Sequence, residues 1–302
     1  MRKKAIFLCA LFVSSFAFAQ DEGESLLDLL GEEETTNYAS ASFKTTRIIN
    51  AQSIENVAEG VLDFKISHRF GRVNGGLGEF FGLDQATIRL GLDYGITDRL
   101  MIGIGRSTVQ KAIDGFAKYK LLRQSSGKKN MPVTLSLYSS IMVNAQAWAN
   151  PERENYFSSR LFYTHQILLG RKFSSGTSLM LMPTVVHRNL VESTAIENTV
   201  YALGVGGRQK LTNRLALTFE YIYVLPDQIA DIYTNSLSIG FDIETGGHVF
   251  QLHFTNSLGM MDKQYITETT GEWGAGDIHF GFNISRVFTL KDTRKKPGEQ
   301  MR

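Results

Sequence analysis

Lysine and arginine recur at alternate positions within stretches that are otherwise apolar. Residues 60–71 carry Lys65 and Arg69, and residues 112–123 carry Lys118 and Lys120. Alternate residues of a strand point to the same face, so the basic side chains would project together. The basic residues with this phase are Lys65, Arg69, Arg89, Lys118, Lys120, Arg160, Arg188 and Arg208. Fixed cations facing an aqueous passage raise the local concentration of anions, so this set predicts binding of small anionic solutes.

Acidic residues share the same phase, which gives a second interpretation of the basic set. They are Asp63, Asp93, Asp114, Glu220 and Asp242. In a narrow closed interior, the two signs would pair with each other and hold the structure rigid. The sequence leaves both the solute pathway and the ion-paired interior open.

Cysteine and histidine offer little chemistry. The single cysteine, Cys9, lies in the apolar N-terminal run, so a processed chain would have no thiol for disulfides, zinc–thiolate sites or iron–sulfur clusters. The six histidines lack ligand spacing. His253 and His279 face the same side of neighbouring strands, but two histidines without a carboxylate are a weak metal signal. We predict no metal and no cofactor.

The elements that carry these residues are long alternating strands. In residues 85–96, Ile88, Leu90 and Leu92 share one face, while Arg89 and Asp93 share the other. The predicted strands are 60–71, 85–96, 99–107, 112–123, 132–146, 156–171, 177–189, 199–211, 214–225, 234–244, 247–257 and 276–288. Roughly ten residues is the length of a tilted strand that crosses a bilayer. We therefore predict an all-β, antiparallel up-and-down transmembrane barrel of twelve strands, with Pro183 causing a local break.

The connections between these strands mostly alternate between short and long, as expected when the two ends of a barrel face different compartments. An even strand count places both termini on the periplasmic side. Counting residues 43–50 as a thirteenth strand would break this parity, so they are assigned to a periplasmic or plug-like segment.

The chain divides into four regions. Residues 1–19 read as a signal peptide, with Arg2, Lys3 and Lys4 before an apolar run and an Ala17–Phe18–Ala19 cleavage site. Residues 20–59 form a leader or plug-like segment whose first part is acidic, 60–288 the barrel, and 289–302 a basic periplasmic tail. The acidic leader predicts either a solvated linker or a docking segment for a periplasmic protein. The predicted location is the outer membrane of a Gram-negative bacterium.

The expected partners follow from this location. Outer-membrane lipid would surround the barrel, and the barrel-assembly machinery would recognise the aromatic-terminated last strand at Phe288. The formal net charge is only +2, so nothing favours nucleic acid.

One catalytic pattern deserves comparison. Residues 253–257 loosely resemble the His-x-Ser-Asn-Gly stretch of the twelve-stranded outer-membrane phospholipase family. Here Thr255 stands at the nucleophile position and Ser257 at the glycine position, and His253 shares the inward phase with Thr255. These departures make a lipid-active enzyme a remote alternative, and we predict a protein without enzymatic activity.

A wider resemblance covers roughly residues 43–288. Its stretches are 47–50, 66–71, 82–85, 91–95, 114–116, 120–123, 234–237, 240–250 and 281–284. They resemble a Bacteroidota family of outer-membrane β-barrels that is labelled only as a domain of unknown function. The resemblance implies a barrel in the outer membrane and transfers no functional residues. The expected function is a narrow channel for small anionic solutes, with a non-conducting structural or docking barrel as the alternative.

Overall fold

Twelve strands form from the alternating stretches of the chain. The computed structural model describes residues 35–191, 193 and 196–291, so the predicted signal peptide, residues 20–34 of the leader and most of the basic tail lie outside it. The strands are β1 (Val61–Arg72), β2 (Ala86–Gly95), β3 (Leu100–Ser107), β4 (Ile113–Leu122), β5 (Thr134–Val143), β6 (Leu161–Lys172), β7 (Thr177–Arg188), β8 (Thr199–Lys210), β9 (Leu215–Val224), β10 (Ser236–Thr245), β11 (His248–Thr255) and β12 (His279–Thr289).

The strands close into a single antiparallel barrel. Each strand pairs with its neighbours in the chain, and β12 pairs with β1 through contacts such as Ile284 with Ile66. Closure leaves no free edge, which satisfies the backbone groups within the barrel wall. The predicted twelve-stranded, up-and-down barrel is confirmed.

The two faces of the wall differ as the alternation predicts. On β2, Leu90 and Leu92 are 44% and 42% exposed, whereas Arg89 and Asp93 are 1% and 0% exposed. Alternate residues thus build an apolar outer surface and a largely buried inner one. Among the described residues, no helix is both long and apolar enough to cross a membrane.

The two ends of the barrel have different connections. At the end that we call the turn end, the connections are 96–99, 123–133, 173–176, 211–214 and 246–247; at the loop end they are 73–85, 108–112, 144–160, 189–198, 225–235 and 256–278. The connection 123–133 is long for the turn end because it contains a short strand, Ser125–Gly127. This strand pairs antiparallel with Thr36–Tyr38 and so fixes the N-terminal part of the described chain at the turn end.

The ladder between β6 and β7 is interrupted near Pro183. Pairing runs as far as Gln166 with Thr184 and resumes at Leu169 with Leu181. Proline has no amide hydrogen to donate, so the break expected from the sequence is confirmed.

The helical elements lie between strands. A short helix, α1 (Asp262–Thr267), and the 3-10 turns Val73–Gly82, Val109–Lys111, Phe157–Arg160 and Trp273–Ala275 all belong to the loop end. The sequence predicted residues 258–275 as a plain outer loop. Instead, every residue of α1 is buried.

The main hydrophobic cluster lies inside the barrel. It joins Ile48 and Ile54, which precede β1, to Met180 and Met182 of β7 and Tyr265 of α1. The barrel therefore has a packed interior, built partly from segments that are not strands of the wall.

Candidate functional site: the filled bore

Two segments of the chain fill the bore from opposite ends. The plug, residues 42–58, enters and leaves at the turn end, and the loop insert, residues 256–271, enters and leaves at the loop end. The plug is a tight hairpin in which Ser53 N donates to Thr46 O at 2.9 Å and Ile48 N donates to Ala51 O at 2.8 Å. Residues 43–50, which the sequence assigned to a periplasmic or plug-like segment, lie in this hairpin.

Glu220 of β9 holds the tip of the plug. Its carboxylate accepts hydrogen bonds from the backbone amides of Ile49, Asn50 and Ala51 at 3.1, 2.9 and 2.9 Å. Hydrogen bonds to an ionised carboxylate are stronger than neutral ones, and three converge on this group. Because Glu220 is fully buried, the amides of the plug serve as its solvation shell.

Further polar groups of the wall bind the same tip. Arg69 Nη2 donates to Asn50 Oδ1 at 2.7 Å, and Asn283 Nδ2 donates to Ile49 O at 3.0 Å. Gln251 Nε2 donates to Ile48 O at 2.6 Å. These contacts come from β1, β12 and β11, so one side of the barrel surrounds the tip with side-chain donors.

Lys118 of β4 binds the stem of the plug. Its ammonium donates to the carbonyl oxygens of Ser53 and Glu55 at 2.9 and 2.6 Å, and to Thr46 O at 3.3 Å. Lys118 is fully buried, so the plug carbonyls replace the water that would otherwise solvate the charge. Lys120 lies nearer the turn end, with its Nζ 4.0 Å from Glu55 Oε2.

Other predicted cations pair with carboxylates of the wall. Lys65 Nζ lies 2.5 Å from Asp93 Oδ2 and 3.2 Å from Asp63 Oδ2. Arg89 Nη2 lies 2.6 Å from Asp114 Oδ2.

Arg208 also has acidic neighbours on the wall, with its Nε 3.7 Å from Asp242 Oδ2 and its Nη2 3.3 Å from Glu244 Oε1. Each of these cations thus has a carboxylate beside it, which is the ion-paired interior that the sequence offered as its second interpretation.

The loop insert closes the other end. Asp262 of α1 accepts hydrogen bonds from Tyr138 OH at 2.5 Å, Ser140 Oγ at 2.8 Å and Tyr265 OH at 3.0 Å. Tyr265 shares the central hydrophobic cluster with Ile48 of the plug. The plug and the loop insert therefore meet within one packed core in the middle of the bore.

Two predicted lumen residues lie at the loop end instead of the bore centre. The sequence placed Arg160 within a strand, but β6 begins at Leu161. Arg160 Nη1 donates to Asn144 O at 2.7 Å and also to Gln146 O, and its guanidinium lies 3.6 Å from the ring centre of Trp148. Its prediction as a lumen residue is wrong, because the stretch before β6 turns into a short 3-10 helix.

Arg188 ends β7 at the loop end and is buried. Its Nη2 donates to the carbonyl oxygens of Glu197 and Gln228. Here the guanidinium ties two loops together at the mouth of the bore.

The described residues show no metal centre at the histidines of the bore. His253 is 1% exposed, and His279 Nδ1 lies 2.8 Å from Phe70 O. Within the described part of the chain, no group of three or more His, Cys, Asp or Glu side chains is arranged to hold a metal ion. Thr255, at the nucleophile position of the phospholipase-like stretch, is fully buried and accepts a hydrogen bond from Ser238 Oγ at 2.9 Å.

Sequence reasoning missed the loop insert and with it Asp262. A signal was present, because Met260, Met261, Tyr265 and Ile266 are too apolar for a solvated outer loop. All four are buried. Met260 and Met261 immediately precede α1, and Tyr265 and Ile266 lie within it.

Comparisons with known proteins agree with the barrel. Residues 43–288 match the family described as Membrane bound beta barrel domain (DUF5777). No curated protein matches the chain.

Several solved structures are similar to the chain at low identity. The NanC porin is 9% identical with a TM-score of 0.48, covering 76% of this chain and 98% of that one. An outer membrane channel from Pseudomonas putida F1 is 13% identical with a TM-score of 0.42, covering 78% and 98%. Omp33 from Acinetobacter baumannii is 8% identical with a TM-score of 0.40, covering 76% and 99%.

Proposed function

Since the chain belongs to this family of membrane-bound β-barrel domains, we propose that it is a non-conducting barrel of the outer membrane that docks a periplasmic partner. The single observation that carries this proposal is the seating of the plug, whose tip amides all converge on Glu220. A bore filled by covalently attached chain offers no path to solutes while the plug stays in place.

The turn end is assigned to the periplasm and the loop end to the outside. Short turns on the periplasmic side and longer loops outside are typical of outer-membrane barrels. Export by the signal peptide at residues 1–19 belongs to the same proposal.

The docking element is the acidic leader, residues 20–34. The described chain begins beside the turn end, where Thr36–Tyr38 pairs with Ser125–Gly127 and Lys172 Nζ donates to Ser40 O at 2.7 Å. This anchorage holds the point at which the leader joins the barrel on the periplasmic side. A partner with a basic surface would complement the seven carboxylates of the leader.

Two measurements test this proposal together. In planar bilayers the full chain should give no ion current, and a steady current through the full chain would contradict the closed bore. Deletion of residues 20–34 should abolish co-purification of the periplasmic partner, whereas removal of residues 292–302 should leave it unchanged. Recovery of the same partners without the leader would refute the docking role.

A second candidate function, a channel for small anionic solutes, is favoured by the side chains that hold the plug. Lys118 and Arg69 bind plug oxygens directly, so withdrawal of the plug would leave these cations facing the bore. Because the loop insert closes the other end of the bore, deletion of residues 43–57 together with residues 259–270 should then produce an anion-selective current. A cation-selective current, or none from a correctly folded variant, would exclude this function.

The proposal assigns no catalytic role to the chain. The lipid-active alternative depended on His253 and Thr255, which lie in the bore and away from the outer surface. An esterase signal from the purified protein that His253→Ala abolishes would reverse this assignment.

A further inference from the structure

The outer surface of the barrel carries an apolar groove across β4 to β8. Its volume is about 710 Å³, within the range typical of small-molecule sites. Leu137, Ile167, Tyr201 and Leu203 line it and are each between 42% and 51% exposed. These residues have the outward phase, so the groove opens to the medium around the barrel.

A serine and a histidine lie together in this groove. Ser139 of β5 and His165 of β6 are direct partners across the two strands, and Ser139 Oγ lies 3.0 Å from His165 Nδ1. Both are exposed, and both sit near the middle of their strands. In a barrel that crosses the outer membrane, the middle of a strand lies in the hydrocarbon layer.

A polar pair at this depth has an unmet hydrogen-bonding requirement. Within the described residues, the side chains of Ser139 and His165 have only the hydrogen bond that joins them. If the serine hydroxyl donates to Nδ1, then Nε2–H has no acceptor; if Nδ1–H donates to the serine, the hydroxyl hydrogen has none. Leaving a donor unsatisfied in hydrocarbon is costly, so the groove favours an occupant that brings an acceptor oxygen.

The shape of the groove has a structural cause. The row across the strands is Ala117, Ser139, His165 and Val185, and it ends at Tyr201, the partner of Val185 on β8. Pro183, which interrupts the ladder of β6 and β7, lies beside this row. Ala117, Ser139 and Val185 are small, so the groove lies between the larger side chains of Tyr119 and Tyr201.

We propose that this groove binds one lipid acyl chain that carries an oxygen acceptor, such as a hydroxyl, within its apolar part. The linear chain would lie along the apolar lining and its oxygen would accept from the Ser139–His165 pair. A second copy of this protein fits less well, because a two-fold contact would place groove against groove and leave the depression unfilled. The inference needs only the membrane placement of the barrel and does not depend on the plug.

The test uses the purified full chain in dodecyl maltoside with two probes, stearate and 12-hydroxystearate, and counts bound molecules by native mass spectrometry. We expect one site and roughly five- to tenfold tighter binding of the hydroxylated probe, the ratio that one net hydrogen bond supplies. The double variant Ser139→Ala/His165→Phe, which lacks both donors, should lose this preference and keep stearate binding. Ala117→Trp should fill the groove and abolish both, whereas Ile104→Trp, on the outward face of β3, should abolish neither.

Three results would overturn the proposal: equal binding of the two probes, a preference that survives Ser139→Ala/His165→Phe, or a dimer that excludes both probes. Release of stearate from its methyl ester that Ser139→Ala abolishes would also overturn it, in favour of a hydrolytic site. If Ala117→Trp fails to show the heat-modifiable migration of a folded barrel, the ratio measured on Ser139→Ala/His165→Phe still decides.

Discussion

Two walls of the barrel hold the same plug by different physics. The polar wall (β9 to β12 with β1 and β2) surrounds its tip with Glu220, Gln251, Asn283 and Arg69. The apolar wall (β6 to β8) meets it with hydrocarbon, and an added Cβ at Gly206 would lie only 2.3 Å from Ile48 Cδ1. Directional hydrogen bonds fix the register of the hairpin, and close packing removes the space into which it could shift.

The apolar wall includes a strand that is apolar on both of its faces. On β7, Leu179 to Met182 are apolar on both faces, with Met180 and Met182 buried inside and Leu179 and Leu181 exposed outside. A strand that is apolar on both faces needs a packed partner inside the barrel. The bore of this protein supplies that partner from its own N-terminal segment.

The largest expected effect comes from removing the anchor of the polar wall. Glu220→Ala would leave three plug amides without their acceptor inside the bore, a loss of about 3 kcal/mol. The plug should then leave the bore more often, and trypsin should cleave after Arg47 roughly 100-fold faster. Glu220→Gln keeps one acceptor oxygen, so its cleavage rate should lie between those of the native protein and the alanine variant. Unchanged cleavage of the alanine variant would show that the apolar wall alone seats the plug.

A smaller effect is expected from the apolar wall. Gly206→Val places side-chain atoms where Ile48 Cδ1 now lies, and such overpacking costs about 1–3 kcal/mol. The same trypsin assay should report faster cleavage after Arg47. Adding Ile48→Ala should restore slow cleavage, since the shortened side chain vacates that space. Additive effects of the two changes would mean that the two residues do not meet.

The sequence predicted the walls better than their contents. Alternation in residues 85–96 was sufficient to place Arg89 and Asp93 inside, because strand period alone decides the face. The same reasoning failed at Arg160, since a short polar stretch with alternating phase can also form a 3-10 turn.

The seating of the plug could not be derived from local sequence. The sequence offers residues 43–50 as a thirteenth strand or a plug-like segment, and the burial of residues 48–50 depends on donors from β1, β11 and β12 that come together only after closure. Gly170 and Gly206 lie within predicted strands, and each makes room for an isoleucine of the plug. The long-range geometry of a closed barrel, rather than residue type, assigns these roles.

The smallest expected effect is a loss of stability in acid at the loop end of the polar wall. The turn at 173–176, in the apolar wall, should not share this loss. The hydrogen bond from Asn74 Nδ2 at 2.7 Å, together with Arg72 at 2.9 Å, holds the pKa of Asp277 below its ordinary value. A carboxyl group whose pKa is depressed by folding stabilises the folded state at pH values above its ordinary pKa, near 4. This stabilisation is lost as the pH falls through the depressed pKa. The protection of the amides in residues 73–85 against hydrogen exchange, corrected for the intrinsic rate at each pH, should therefore fall as the pH drops below about 4. Asp277→Asn should remove that fall, while the protection of the turn at 173–176 stays unchanged. If residues 73–85 and 173–176 lost protection equally in acid, the hydrogen bond between Asn74 and Asp277 would not be the cause of the acid sensitivity.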